Sequence, residues 1–108
     1  MTLLIQAKIN ECIKLVRMSN RKLNEIRLGK NESPEHRDKK LEICIDLIKQ
    51  NKSFITEAIF VSGGRADILV LDDFKVIEIV KTETNKSIEY KKQSYPKGLK
   101  IEVIEIGK

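Results

Sequence analysis

The stretch FITEAIFVSGGRADILVLDDFKVIEIVK, residues 54–81, decides the fold. It contains three apolar runs, and each carries one embedded acid: Glu57, Asp67 and Glu78. Gly63-Gly64 separates the first run from the second, and Leu71-Asp72-Asp73-Phe74 separates the second from the third. This punctuation predicts three successive strands, roughly Phe54–Val61, Arg65–Leu71 and Lys75–Val80. A turn centred on Asp72 and Asp73 pairs position i with 145 − i, so Asp67 faces Glu78 across two antiparallel strands. Directly opposed side chains on one face have Cβ atoms about 5 Å apart. A four-residue loop shifts the register by two and keeps both acids on that face. Two carboxylates so close repel unless a cation lies between them, and oxygen ligands suit a divalent ion, Mg²⁺ first. The competing reading pairs single acids with Arg65 or a lysine on half-solvated strands.

Upstream the apolar period is helical. Ile5, Ile9, Cys12, Ile13, Val16, Leu23 and Ile26 recur every three or four residues, which predicts a helix from Thr2 to about Leu28 with a weak point at Ser19-Asn20. Ser33-Pro34-Glu35 is a helix start: a serine N-cap, proline at the first helical position and an acid in the first turn. The second helix is expected to run from Pro34 to about Gln50, burying Leu41, Cys44, Ile45, Leu47 and Ile48. Downstream, Thr82 or Thr84 can cap a third helix that reaches about Ser94 and ends at Pro96. Leu99–Val103 alternates as a last strand, with a phase slip at Ile104 that reads as a bulge.

The 108 residues make one domain with a single core. Charged residues are 34% of the chain and the net charge is +5, with lysine far more common than arginine. Such a surface fits thermophile ion pairing and equally fits a protein that handles a polyanion. Cys12 and Cys44 lie in apolar helical patterns as small hydrophobes of a reducing compartment. With one histidine, His36, they cannot build a structural zinc site. No apolar run is long enough to cross a bilayer, and a cytoplasmic location is expected.

Element order and motif together resemble the PD-(D/E)XK nuclease superfamily. The wording TEAxFxxGGRADI looks most like small archaeal members and the nuclease-like domain of competence CoiA-type proteins. The resemblance covers about Ser33 to Ile106. It implies an α/β fold with a restriction-endonuclease-like αβββαβ core over residues 33–108, a mixed sheet of about four strands flanked by helices, and an extra N-terminal helix over residues 1–32 for packing or dimerisation. It also implies Mg²⁺-dependent hydrolysis of phosphodiester bonds, with Mn²⁺ able to substitute. Asp67, Glu78 and Glu57 would hold metal, on DNA more than RNA, in a homodimer. The family's lysine belongs at position 80, where this chain has Val80. Lys81 follows on the opposite face from Glu78, and Lys86 or Lys40 could take over its role. Arg65, Lys86, Lys91 and Lys92 would contact nucleic acid, with Lys97 and Lys100 nearby. His36 could orient a ligand or simply be solvated, and Glu42 could join the site or form a surface ion pair. Val80 also leaves open a second function: a degenerate nuclease fold that binds nucleic acid or a protein without cutting.

Overall fold

The computed structural model describes residues 3–19, 21–30, 32–81 and 92–106. Three antiparallel strands and a returning parallel one form a mixed sheet in the order β1-β2-β3-β4: β1 Phe54–Ile59, β2 Arg65–Val70, β3 Lys75–Val80 and β4 Lys100–Glu105. Helices α1 (Leu3–Ile13) and α2 (Pro34–Lys49) lie on opposite faces. The β1/β2 turn uses Gly63 and Gly64, whose φ of 102° and 86° would strain any side-chain-bearing residue. Between β2 and β3 the register is the expected 145 − i, seen in Ile68↔Ile77, Leu69↔Val76 and Val70↔Lys75. The mixed α/β architecture is therefore the expected one at this level.

Three expectations need correction. The first helix stops at Ile13, fifteen residues short of Leu28. The chain then runs along the edge of β1 as an irregular strap, bridging Val16 to Phe60 and donating Arg17 N–H to Ile59 O at 2.8 Å. Farther on, Asn24 Oδ1 accepts Phe54 N–H at 2.9 Å, and Thr56 Oγ1 both donates to Glu25 O and accepts Arg27 N–H. An edge strand exposes unpaired backbone groups, and the strap satisfies them where a continued helix would not. Second, β4 pairs with β3 without interruption from Lys75↔Lys100 to Val80↔Glu105, so there is no bulge at Ile104. Both faces of β4 meet apolar neighbours, Ile101 on the α1 side and Ile104 on the α2 side, which explains the lost alternation. Third, α2 buries Lys40, Cys44 and Leu47, while Leu41, Ile45 and Ile48 remain 40–46% exposed. The α2 N-terminus is as read, with Ser33 Oγ accepting His36 N–H at 3.1 Å.

Two core layers result. On the α1 side Ile9, Cys12 and Val16 pack with Ile55, Phe60, Leu69 and Val76. On the α2 side Cys44 and Leu47 pack with Phe54, Ile68, Val70, Ile77 and Ile79. The stripe of α1 is thus spent on its own sheet. The expected third helix falls mostly on residues 82–91, outside the described residues; 92–94 are helical and precede Pro96. No described helix is long and apolar enough to cross a membrane.

Cys12 and Cys44 are fully buried, and that burial pushes each thiol up to about 11; Lys40 pulls only weakly against it at Cys44. Native protein in mildly alkaline buffer should therefore react with a thiol reagent no faster than it unfolds. A prompt burst of labelling at either cysteine would contradict this packing. Asn24 sits at φ 59° and its side chain supplies the acceptor for Phe54 N–H, so Asn24→Ala should cost about 1–3 kcal/mol in urea unfolding.

Candidate functional site

The β1/β2 ladder follows 124 − i on both sides of one position, Thr56↔Ile68 and Ala58↔Ala66, which sets Glu57 opposite Asp67. Both strands change phase there. Thr56 and Ile68 lie on the α2 side, yet Ala58 and Ala66, two residues on, lie in the α1-side layer. Strict alternation would have kept each pair on one face. Glu57 makes the break with a φ of 51°, a left-handed conformation that costs a non-glycine residue roughly 1–2 kcal/mol. Its carbonyl accepts Arg21 Nε–H at 3.0 Å. On β2, the Asp67 carboxylate accepts Ile79 N–H through Oδ2 at 2.8 Å, in place of a ladder bond. The outcome is that both carboxylates open on the α2 side into one pocket of about 460 Å³, with Glu32, His36, Lys30 and Arg65 in its walls.

This overturns the expected Asp67–Glu78 pair. Glu78 stands between Ile77 and Ile79, which both face α2, and its own carboxylate points the other way and accepts from the Tyr95 hydroxyl in the α1-side layer. The β2/β3 register is the expected one; the phase of β2 changes at Asp67, next to that ladder. Lys81, by contrast, reaches the α2 side. Its Nζ comes within 3.9 Å of Glu35 Oε2, the exposed acid in the first turn of α2.

Two residues that periodicity could not place complete the cluster. Lys40 has no exposure; its Nζ donates to Arg27 O at 2.9 Å and Glu32 Oε1 at 2.8 Å, and lies 3.7 Å from Glu57 Oε1. Apolar periodicity does not mark Glu32 either. Its Oε1 also accepts Gly29 N–H, and its Oε2 lies 2.5 Å from His36 Nδ1. Burial raises the Glu32 pKa, but the hydrogen bonds from Lys40, Gly29 and His36 outweigh it and hold the carboxyl below the ordinary glutamate range. His36 Nε2 is 3.4 Å from Asp67 Oδ2, so the imidazole bridges two carboxylates. The only sequence signal for Glu32 was its place one residue before the N-cap and four before His36.

Asp67 Oδ1 and Glu57 Oε2 have no partner among the described residues, and both side chains line the pocket. No three His, Cys, Asp or Glu side chains among the described residues are arranged to enclose a metal ion. A pair of carboxylates in one open pocket nevertheless has the oxygen-donor chemistry that suits Mg²⁺, an ion that keeps several of its waters. Arg65 is exposed and lines the pocket; Lys92 is exposed and is not among the lining residues; Lys86 and Lys91 lie outside the described residues. Glu42 is turned to solvent and pairs with Lys39 at 3.2 Å, away from the pocket. Comparison of the chain with protein-family models, characterised proteins and solved structures finds no match.

Because Lys40 is buried between two carboxylates, Lys40→Met should cost about 3–5 kcal/mol at neutral pH by removing the cation they share. The pH dependence has a definite sign. Glu32 has a depressed folded pKa, so its contribution is present above its unfolded pKa and is lost as the pH falls through the folded value. Glu32→Gln should flatten the acid limb of a stability-versus-pH curve measured by urea unfolding. An unchanged acid limb would place the acid sensitivity elsewhere.

Proposed function

We propose that this chain is a metal-dependent phosphodiesterase acting on nucleic acid, DNA before RNA, through the pocket between β1, β2 and the start of α2. The observation that carries this reading is the paired phase change that turns Glu57 and Asp67 out of their strands into one open pocket. A strained backbone held in place by a surrounding network is characteristic of a binding or catalytic position. The described order α2-β1-β2-β3-β4 is compatible with the αβββαβ core that the resemblance to PD-(D/E)XK nucleases implies, whose second helix falls mostly outside the described residues.

In this reading Asp67 and Glu57 would hold Mg²⁺, or Mn²⁺ in its place. When bound, such an ion polarises the phosphate and lowers the pKa of water. Lys40 fixes the rotamer of Glu57 and lies too deep to touch substrate. Glu32 orients His36, whose Nε2 stands 3.4 Å from Asp67 Oδ2 and steadies that carboxylate. Lys30 and Arg65 at the rim attract the phosphate backbone, and Lys81 sits on the same side. Glu78 has no part in metal binding.

A second reading, binding without cleavage, is favoured by one observation: the acid beside the lysine position, Glu78, is on the wrong face and bonded to Tyr95. A cleavage assay on a panel of DNA and RNA with Mg²⁺ or Mn²⁺ separates the two. Asp67→Ala and Glu57→Gln should each lower the rate by about 100-fold or more, and Glu78→Gln should leave it within a few-fold. Loss of cutting in Glu78→Gln with an unchanged melting curve would refute this assignment. Wild-type protein that binds nucleic acid in a salt-dependent way, yet cuts nothing with either metal, would establish the second reading.

A further inference from the structure

The net charge of the chain is concentrated in one segment. Residues 14–30 carry six cations, Lys14, Arg17, Arg21, Lys22, Arg27 and Lys30, against one acid, Glu25, a net charge of +5. The whole chain is also +5, with 21 basic residues against 16 acidic, so everything outside this segment balances at 15 against 15. The segment is the strap on the edge of β1, and it lies wholly outside the Ser33–Ile106 stretch that resembles a nuclease core.

Backbone bonds set the course of the strap. Val61 N–H donates to Leu15 O at 2.8 Å, Arg17 N–H to Ile59 O at 2.8 Å and Asn24 N–H to Phe54 O at 2.7 Å. The strap thus follows residues 54–61 for about 20 Å, at roughly 3.3 Å per residue. At one end Arg17 adjoins Ile59, whose ladder partner is the pocket residue Arg65. Past Asn24 the strap doubles back to Thr56 and brings Gly29 and Lys30 into the pocket wall. Three of the cations are engaged within the fold: Lys14 with Glu11 at 3.0 Å, Arg27 with Glu25 at 3.4 Å, and Arg21 Nε–H with Glu57 O. Arg17, Lys22 and Lys30 are exposed, and their side chains have no ion pair or hydrogen bond among the described residues.

Like charges gathered on one segment repel, and a partner that brings its own negative charge relieves them. A single anion would satisfy one cation and leave the others, whereas a chain of regularly spaced phosphates meets several at once and releases their counterions. Resting on the phosphodiesterase reading of the pocket, we propose that the strap is a track for the sugar–phosphate backbone of a nucleic acid. Arg17 and Lys22 grip phosphates beyond those that Lys30 and Arg65 attract at the pocket. The grip then belongs to the strap rather than to the other basic surface, around Lys97 and Lys100.

Fluorescence anisotropy with a labelled DNA single strand and the matching duplex, in EDTA and over a range of salt, tests this without metal or cleavage. Wild-type protein should bind at low salt and release as salt rises. The double variant Arg17→Gln/Lys22→Gln should bind about tenfold or more weakly. Its plot of log affinity against log salt should be shallower by about 1.4 on the single strand or about 1.8 on the duplex. The arm with the larger loss identifies the form that the track takes. Its melting point should be unchanged, because both side chains are exposed. Lys97→Gln/Lys100→Gln removes the same charge from the other surface and should cost no more than about threefold. Equal losses in the two double variants would make net charge alone responsible and overturn the proposal, as would a wild type that binds neither probe. Strap-dependent binding by a protein that cuts nothing with Mg²⁺ or Mn²⁺ would sink the cleavage reading and keep the track. Normal binding and cleavage in Arg17→Gln/Lys22→Gln would do the reverse.

Discussion

A lysine ammonium with no access to water is the constraint on which the rest of this molecule depends. Lys40 joins three separate pieces of chain: the strap at Arg27, the approach to α2 at Glu32, and β1 at Glu57. A buried cation is tolerated only when its donors are satisfied and its charge is matched. Here one carbonyl and two carboxylates meet that need, and each partner is held in return. Glu32 takes a rotamer that also reaches Gly29 N–H and His36, closing the turn before the helix. Glu57 is pulled toward α2, which its unusual φ permits. Removing the ammonium would loosen the strap, the helix start and the kink in β1 together.

The kink explains why strand positions were legible while the site was only half so. Strand bounds, turns and the β2/β3 register follow from apolar runs, glycine pairs and turn length, all of them local in sequence. Which face an acid adopts depends on parity, and parity is lost wherever the backbone makes one non-extended step. Phe54 and Ile55 alternate as expected, but Ala58 is on the face of Ile55 although the two are three residues apart. No sequence rule marked Glu57 as the residue that takes a left-handed φ, since glycine and asparagine are the usual signals. The three embedded acids also looked alike and proved different. Glu57 is matched by Lys40, Asp67 by a backbone N–H and His36, and Glu78 by the Tyr95 hydroxyl. An acid in an apolar run reports that a partner exists, without saying whether it is a lysine, an amide, a phenol or a metal.

The first helix is shorter than its apolar period implies for a related reason. Val16, Leu23 and Ile26 continue a helical period, yet they occupy a strap whose residues are spaced by its pairing with β1. Period alone cannot tell a helix from an irregular segment that touches the core at similar intervals. The edge of β1 decides the matter, because its backbone groups need partners and a helix has none to spare.

The orientation of α2 shows the same competition at the level of energy. Lys40, Cys44 and Leu47 form one stripe, and Leu41, Ile45 and Ile48 form another, about one residue's rotation away. Hydrophobicity alone favours burying the second and leaving Lys40 in water. Their 40–46% exposure forfeits roughly 1 kcal/mol each, about 3 kcal/mol in all. Dismantling the Lys40 network would leave Glu32 and Glu57 facing each other without a cation, a loss of about 3–5 kcal/mol. The two are close enough that neither dominates by chemistry alone, and the apolar surface left outside is recoverable against another apolar surface, whereas an unmatched charge inside is not. The rotation that assembles the pocket is therefore the same one that leaves α2 with an unspent apolar face. Pocket and outer stripe are two consequences of a single choice made by one helix.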